Sequence, residues 1–192
     1  TSLGGTWAPN AGIAIDVEAY RNNVRQLIDT RYEGSNAAGL IVYQNVNVAS
    51  AHTEGVETSV RLLRGPFDAA FGYDYLYTRD DETRLPLSQR ATHTARVHLQ
   101  REWKLLSGVT TDATAHYTGP SKLIGTAGNS VGVVGQQGEF LSLDGQLRIN
   151  VSQLAELSVG VNNLLDKRPV FYTPAYQRQF FLGLHVRWSP RD

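Results

Sequence analysis

The side chains best suited to chemistry in this sequence of 192 residues are five histidines, at positions 52, 93, 98, 116 and 185. Imidazole groups form a metal or proton-transfer site when two of them share one face of an element. No pair has the i, i+4 spacing of a helical site, and the odd interval between His93 and His98 places their side chains on opposite faces of a strand. The sequence therefore favours structural or solvated histidines and predicts no metal site.

The other catalytic or ligand-binding patterns are weak. Asp80, Asp81 and Glu82 lack the alternating oxygen ligands and the glycine of a calcium loop, so a solvated loop is the better interpretation. The glycine-rich run Gly125–Gly138 contains no GKS or GKT sequence and precedes no predicted helix, which argues against a phosphate cradle and favours a long loop. The sequence GNSVG at 128–132 has the GxSxG pattern, but it lies in the same run and precedes no predicted helix, which argues against a nucleophile elbow. The absence of cysteine removes thiolate nucleophiles, disulfides and cysteine-based metal sites. We predict that the protein is not an enzyme and has no cofactor.

The charge balance narrows the class of protein further. The 18 lysines and arginines offset 18 acids, so the basic surface expected of a nucleic-acid-binding protein is missing. Hydrophobic residues make up 41% of the chain, which argues against disorder. The longest apolar stretch, Gly39–Tyr43, is far shorter than the ~18 to 20 residues of a spanning helix, which excludes helical membrane insertion.

The elements that must position these residues follow a period of two. At the C-terminus an apolar row alternates with a second row, as in a β-strand; it consists of Phe180, Leu182, Leu184, Val186 and Trp188. Similar alternation predicts eight strands, at about 11–29, 40–64, 67–78, 91–103, 107–118, 139–150, 155–165 and 178–188. The 18 glycines suit a chain with many turns and strands.

The predicted connections alternate in length. Long connections cover 30–39, 79–90, 119–138 and 166–177, and short ones cover 65–66, 104–106 and 151–154. Long and short connections then fall at opposite ends of an antiparallel sheet, which is typical of an up-and-down bacterial outer-membrane barrel. Trp7, Trp103 and Trp188 all fall at the end with short connections, as expected of an aromatic girdle at a membrane interface.

The segment Glu156–Trp188 contains a penultimate strand that runs into a GxxNLxDK motif, a tyrosine-containing loop and a final strand of the RxFxLGLxxRW kind. The motif residues are Gly160, Asn163, Leu164, Asp166 and Lys167. This arrangement resembles the C-terminal end of TonB-dependent outer-membrane receptors, of the siderophore-receptor type. Weaker matches in the family's order run back through the sequence: WAP, AYRNNVRQLI, YQNV, EGVE, GYDYLYTRD and LPLSQRATHTARV. The resemblance covers nearly the whole chain.

The resemblance implies an all-β fold, an antiparallel up-and-down transmembrane barrel of about 22 strands whose lumen holds an N-terminal plug. Residues 1–192 would be about eight strands from the C-terminal part of this barrel, with the plug and the earlier strands absent. The implied function is import of ferric siderophores or a similar scarce nutrient across the bacterial outer membrane. A ferric chelate would be the substrate and not a cofactor.

The resemblance also implies partners and ligand contacts. The partners would be the remaining barrel strands and the plug, the TonB complex through the missing N-terminal part, and lipid and lipopolysaccharide; nucleic acid is not expected. Polar rows such as Asp144, Gln146 and Arg148 would face the plug, and apolar rows would face lipid. Loop aromatics and cations would stack on or pair with an anionic iron chelate; the candidates are Tyr32, Arg79, Arg84, Tyr172 and Tyr176.

Two other classes of protein remain open on the sequence. A small autonomous outer-membrane barrel, acting as a porin or an adhesin, would require the eight predicted strands to close on themselves. A soluble β-sandwich binding module would pack the apolar rows together instead of exposing them to lipid.

Overall fold

The computed structural model describes residues 1–104, 108–127, 130–167 and 177–188, and within these ranges every side chain except that of Ala49. The described residues contain eleven strands: β1 Ser2–Asn10, β2 Ile13–Ser35, β3 Ile41–Arg64, β4 Phe67–Asp80, β5 His93–Trp103, β6 Val109–Thr118, β7 Ser121–Ala127, β8 Ser130–Gln137, β9 Phe140–Asn150, β10 Ala155–Asn162 and β11 Gln179–Val186. In this part of the chain no helix is long and apolar enough to cross a membrane.

All eleven strands belong to one sheet. Its order is β11-β10-β9-β6-β5-β4-β3-β2-β7-β8, and β1 pairs with the first part of β2. The sheet is open, because among the described residues β11 at one edge does not pair with β1 or β8 at the other. Within the same ranges no second sheet covers the apolar rows. The described strands thus form neither a β-sandwich nor a small closed barrel.

The eight predicted strands are confirmed as β2 to β6 and β9 to β11. Their cross-strand register explains why the alternation in sequence is reliable: Phe71 lies opposite Val60 on one side and Val97 on the other. The paired strands therefore place apolar side chains on one face of the sheet and polar side chains on the other. This pattern fixes the register, because a slip of one residue would exchange the two faces. We call these the outer face and the inner face.

The sequence pattern misses three strands. In β1 the glycines Gly4 and Gly5 and the proline Pro9 interrupt the alternation, so Trp7 lies inside a strand and not before the first one. The long loop predicted for Gly125–Gly138 is also wrong, because β7 and β8 pair antiparallel there. Glycines at several positions of this hairpin remove the apolar row from which a strand would be recognised.

The long connection predicted at 30–39 is wrong as well, because β2 continues to Ser35 and β3 begins at Ile41. The turn is short: the Asn36 side chain accepts hydrogen bonds from the backbone N–H groups of Ala38 (3.0 Å) and Leu40 (2.9 Å), and Gly39 has a φ of +76°. With 23 residues at about 3.3 Å each, β2 is about 75 Å long, whereas a tilted strand crosses a bilayer in about 9 to 11 residues. About half of this hairpin extends beyond a membrane-sized band.

The buried core lies in that extension, at the end of the sheet that carries the long connections. It consists of Val48, Ala51 and Leu87, with Leu27 and Val46 packed against it. Strict alternation would place Leu27 on the outer face with Ile13 and Ile15. Gln26, immediately before it, has a left-handed φ of +56°, which breaks the alternation so that Leu27 joins the inner cluster.

Candidate functional site

The outer face carries an apolar band with aromatic side chains at both ends. In β4, Phe67 lies near the short turns and Tyr77 near the long connections, and the exposed side chains Phe71 and Tyr75 lie between them. The ten-residue interval from Phe67 to Tyr77, at about 3.4 Å per residue and a tilt of about 40°, covers a height of about 26 Å. This is the height of the apolar band of an outer-membrane barrel, about 25 Å.

The structure places the three tryptophans at the short-turn end, as the sequence predicts. Trp7 lies three residues before the end of β1, Trp103 ends β5 and Trp188 follows β11. The guanidinium of Arg101 lies 3.6 Å from the ring centre of Trp103 and 4.5 Å from that of Phe67. These cation–π contacts explain how a charge fits into the end of an otherwise apolar row. Contact of the tryptophans with a membrane interface stays a prediction.

The inner face carries a row of acids across three neighbouring strands. Glu18 lies directly opposite Glu57, and Glu57 lies opposite Asp74. Together with Asp16 these side chains line a hollow of about 480 Å³ to which the described residues contribute no Lys or Arg. Like charges directly opposite each other destabilise a sheet. The row therefore favours a neighbour that brings positive charge to this face.

The polar row of β9 also lies on the inner face, but its charges are used between strands. Arg148 forms a forked ion pair with Asp112 of β6, with Nη2 at 2.9 Å from Oδ2. Asp144 accepts a hydrogen bond of 2.7 Å from the backbone N–H of Asn163. The predicted orientation of these side chains agrees with the structure, and their contact with a plug stays a prediction.

The GxxNLxDK motif closes the connection that follows β10. Asn163 has a φ of +51°, and its side-chain amide donates to the carbonyl of Lys167 at 3.0 Å. Asp166, with a φ of +49°, accepts a hydrogen bond from the backbone N–H of Arg178 just before β11. A side chain at Gly160 would meet the ring of Phe181 and the Gly145 carbonyl. The motif therefore has a structural role at the strand end.

At the long-connection end, two segments fold over the inner face. We call this region the cap: loop 81–92, the β7–β8 hairpin, and residues 27–35 of β2 and 41–51 of β3. The hairpin leaves β6 and reaches β2, where Gly125 pairs in parallel with Tyr32. Loop 81–92 lies against it, since Gln89 N–H donates to the Lys122 carbonyl at 2.8 Å.

Side-chain hydrogen bonds fasten the loop on both sides. Leu87 N–H donates to Thr78 Oγ1 at 3.1 Å, and Ser88 N–H donates to Asp29 Oδ2 at 3.3 Å. The Ser88 hydroxyl in turn accepts the N–H of Ile124 at 3.1 Å. Strands β2 and β4, the loop and the hairpin are thus joined in one packed unit.

The structure separates the predicted ligand residues. Tyr32 lies in the cap with its ring 5.8 Å from that of Tyr43, and burial raises the pKa of Tyr43 above its usual value of 10.0, with Tyr32 a smaller cause. Arg84 lies in loop 81–92 on the inner side. Arg79 lies opposite His52 on the outer face, and therefore on the other side of the sheet from Arg84. Tyr172 and Tyr176 lie outside the described residues.

Arg84 lines a cavity that the sequence does not predict. We call it the basic pocket; its volume is about 320 Å³, and its polar and charged lining includes Thr78, Arg84, Arg90, Ser121, Lys122 and Gln136. Three separate segments contribute: β4, loop 81–92 and the β7–β8 hairpin. Their only signal in the sequence is the positive charge of Arg84, Arg90 and Lys122, and the fold alone brings these together.

The histidines make local contacts. Tyr73 Oη and His93 Nδ1 are 2.8 Å apart, His98 Nδ1 lies 3.0 Å from Thr114 Oγ1, and His52 Nδ1 lies 2.6 Å from Asp81 Oδ1. The hydrogen bond with His52 is the largest of the effects that lower the pKa of the Asp81 carboxyl below its usual value of 3.8. In the described ranges no group of three or more His, Asp or Glu side chains is placed to hold a metal ion.

A family model described as "TonB dependent receptor-like, beta-barrel" matches residues 1–164. The siderophore receptor PirA from Acinetobacter baumannii superposes with a TM-score of 0.73 and 16% identity, over 96% of this chain and 31% of that one. The copper transporter OprC gives 0.72 and 18%, over 96% and 30%. The ferric enterobactin receptor of Pseudomonas aeruginosa in complex with enterobactin gives 0.69 and 20%, over 96% and 30%. At these identities the superpositions show a shared fold alone. The chain spans about 30% of the length of those proteins.

Proposed function

Because the chain belongs to the TonB-dependent receptor β-barrel family, we propose that it forms the C-terminal part of a nutrient importer energised by TonB. The family lies in the bacterial outer membrane, and its members are transporters and not enzymes. The observation that carries the proposal is the division of one sheet into an apolar outer band about 26 Å high and a polar inner face. Such a sheet needs lipid on one side and a polar filling on the other.

The polar filling that we propose is the plug of the same receptor. The row of Glu18, Glu57 and Asp74 faces inward around a hollow to which the described residues contribute no Lys or Arg, so basic side chains of a plug would relieve the repulsion between these carboxylates. The free edges of β1 and β11 would pair with the remaining strands of the barrel, because an unpaired edge is not tolerated in lipid.

The outer face would meet lipid and, beyond it, lipopolysaccharide. The long-connection end would be extracellular, as it is in outer-membrane barrels. There Arg79 lies on the outer face above Tyr77, where a cation suits the phosphate groups of lipopolysaccharide. We therefore assign Arg79 to this surface and not to the ligand site.

The substrate that we propose is a ferric siderophore or a similar iron chelate. Two of the similar structures are named as siderophore or ferric enterobactin receptors, and a third is named as a copper transporter. Within the cap, Tyr32 and Arg84 are the proposed ligand contacts, together with Tyr172 and Tyr176. An aromatic ring and a guanidinium would stack on or pair with an anionic chelate.

Uptake by the full receptor tests this function. A receptor-deletion strain carrying the complete receptor should gain iron-limited growth on a panel of ferric siderophores, and deletion of tonB should abolish the gain. Uptake that persists without TonB would favour a porin. TonB-dependent accumulation of copper without any gain of iron would retain the transporter and replace the substrate.

A further inference from the structure

A groove opens on the outer face at the short-turn end of the sheet, between the β1–β2 turn and the β3–β4 turn. We call it the rim groove; its volume is about 970 Å³, and its lining includes Ile13, Leu62, Arg64, Phe67 and Ala69. Leu62 and Phe67 are nearly half exposed, at 45% and 47%. The rim groove is therefore a mostly apolar surface that the described strands leave open to their surroundings.

Backbone hydrogen bonds fix the shape of the rim groove. The Leu63 N–H donates to the Gly12 carbonyl at 2.7 Å, and the Glu102 N–H donates to the Pro66 carbonyl at 2.9 Å, so each turn is fastened to a neighbouring strand. A Cβ atom at Gly12 would lie 2.6 Å from the Leu63 carbonyl oxygen, and glycine is required for this close approach. The groove is thus part of the folded sheet and needs no ligand to form.

Two arginines flank the aromatic ring at this end of the outer face. Arg64 of β3 lies directly opposite Phe67 of β4, and Phe67 lies opposite Arg101 of β5. Asp68, next to Phe67, points to the inner face, where it accepts a hydrogen bond of 2.7 Å from Arg61. Among the described residues neither Arg64 nor Arg101 has an ion pair with an acid. The outer face therefore carries two uncompensated positive charges here.

The Arg101 guanidinium is packed between rings. It lies 3.6 Å from the ring centre of Trp103 and 4.5 Å from that of Phe67. Its Nε atom is buried and has no hydrogen-bond partner in the described part of the chain. Burial of a charged group costs free energy unless an opposite charge compensates it. The two rings supply part of this compensation, and an anion beside the guanidinium would supply the rest.

The height of the two arginines on the sheet identifies the source of such an anion. Phe67 ends the apolar band of about 26 Å, so the guanidinium groups lie where the hydrocarbon layer meets the lipid headgroups. Short turns of outer-membrane barrels are periplasmic, and the periplasmic leaflet consists of phospholipid. Arginine binds a phosphate group through two parallel hydrogen bonds.

The opposite end of the outer face provides a contrast. There Arg21 of β2 forms an ion pair of 3.2 Å with Glu54 of β3, level with Tyr77 of β4. This cation finds its acidic partner within the sheet. Arg64 and Arg101 find none among the described residues, although both ends lie on the same strands.

We propose that the rim groove binds an anionic phospholipid of the periplasmic leaflet. Arg64 and Arg101 hold the phosphate, and an acyl chain lies along Ile13 and Leu62. The charge of the two arginines selects a lipid with a net negative headgroup, and the apolar lining excludes a hydrated inorganic anion. The site goes beyond the proposed import function, because it does not depend on the identity of the transported solute.

Native mass spectrometry of the purified full-length receptor in detergent tests the site. The receptor is titrated with phosphatidylglycerol and, separately, with phosphatidylcholine that has the same acyl chains. We expect one saturable site for phosphatidylglycerol and a Kd for phosphatidylcholine that is at least several-fold higher, because the choline ammonium is repelled by the arginines. The double variant Arg64→Gln, Arg101→Gln should raise the Kd for phosphatidylglycerol by about tenfold or more.

Two arginine variants serve as matched controls. Arg61→Gln removes a cation from the same end of β3 but from the inner face, and Arg21→Gln removes one from the other end of the outer face. Both should leave the Kd for phosphatidylglycerol unchanged. If the double variant does not fold, Arg64→Gln alone should still raise this Kd by about threefold or more. A native receptor without saturable phosphatidylglycerol binding, or equal Kd values in the arginine-pair variant and the Arg61 variant, would overturn the inference.

The same spectra distinguish two other occupants of the rim groove. Lipid A, the anionic anchor of lipopolysaccharide, should bind equally to the native receptor and the double variant. A loss of lipid A binding in the double variant, with phosphatidylglycerol binding retained, would assign the groove to the other leaflet and overturn the inference. A receptor dimer that dissociates in the double variant would assign the groove to a second copy and overturn it as well. Lipid binding is measured without uptake, so its outcome is separate from that of the import proposal.

Discussion

The apolar band of the outer face and the cap belong to the same strands, but different contacts stabilise them. In the cap, apolar side chains are buried against one another: Val48, Ala51, Leu87, Leu123 and Ile124 are each less than one tenth exposed. In the band, large apolar side chains such as Phe71 (42%), Leu99 (51%) and Val159 (45%) remain exposed on the outer face. The band depends on lipid and on inner partners, whereas the cap has a small core of its own.

The difference shows which parts of the structure depend on the pattern within one strand and which depend on contacts between residues far apart in the chain. A band strand only has to alternate apolar and polar residues, because lipid and lumen accept any side chain of the right type. The cap requires particular residues to meet: Ser88 contacts Asp29, 59 positions away in the chain, and Ile124, 36 positions away. We therefore expect the cap to open without unfolding the band.

Truncation of the cap core should have the largest effect. Leu87→Ala removes a buried side chain from the cluster with Val48 and Ala51, which should cost about 2–5 kcal/mol of cap stability. Hydrogen exchange of the full receptor should speed up in loop 81–92 and β7–β8 and stay unchanged in the band. Leu154→Ala, at an exposed position in a short turn, is the control and should change neither. Faster exchange throughout the band would contradict the separation of the two regions.

A charge on the outer face tests the band. Leu143 and Ser142 are adjacent in β9 and lie on the outer and inner faces, respectively. Leu143→Lys should destabilise the full barrel by about 2–4 kcal/mol, because the ammonium group would lie in lipid in register with Phe71, near the middle of the band. Ser142→Lys should have little effect, since it faces the lumen opposite His116. Urea titration in lipid vesicles, followed by the heat-modifiable gel shift, measures both; equal losses would mean that the faces are assigned incorrectly.

The same contrast between the band and the cap explains which features of the structure can be predicted from the sequence. The eight strands with clear alternation and the short-turn position of the three tryptophans are evident because each depends on period and spacing alone. The β7–β8 hairpin is missed because Gly125, Gly132 and Gly135 interrupt its pattern and because its partner in the sheet, β2, lies far away in sequence. The basic pocket is missed for the same reason, although Arg84 is one of the predicted ligand residues.

A single methyl group in the hairpin should produce a smaller change than the loss of a core leucine. A Cβ atom at Gly125 would lie 2.7 Å from the Tyr32 carbonyl oxygen and 2.7 Å from a methyl carbon of Val134. Gly125→Ala should therefore weaken the contact between β7 and β2 by about 1–3 kcal/mol. Gly132→Ala is the matched control in β8, because no atom lies within 4 Å of a Cβ there. Limited proteolysis of the full receptor should cleave the first variant in the hairpin and spare the second; equal cleavage would show that β7 is not held by this contact.

The smallest expected effect is a pH dependence where the outer face of the sheet meets the cap. Asp81 bonds to His52, and its N–H donates to the Ser50 carbonyl at 3.0 Å, which ties loop 81–92 to β3. Because the pKa of Asp81 is lowered in the folded protein, its carboxylate stabilises the fold above pH 3.8, and this contribution is lost as the pH falls through the lowered pKa. Hydrogen-exchange protection factors at the start of loop 81–92 should fall below pH 3.8 in the native receptor and in the control Glu82→Gln. Asp81→Asn should show reduced protection already at neutral pH and no further loss on acidification. A native pH profile in the Asp81 variant would mean that another group fastens the loop there.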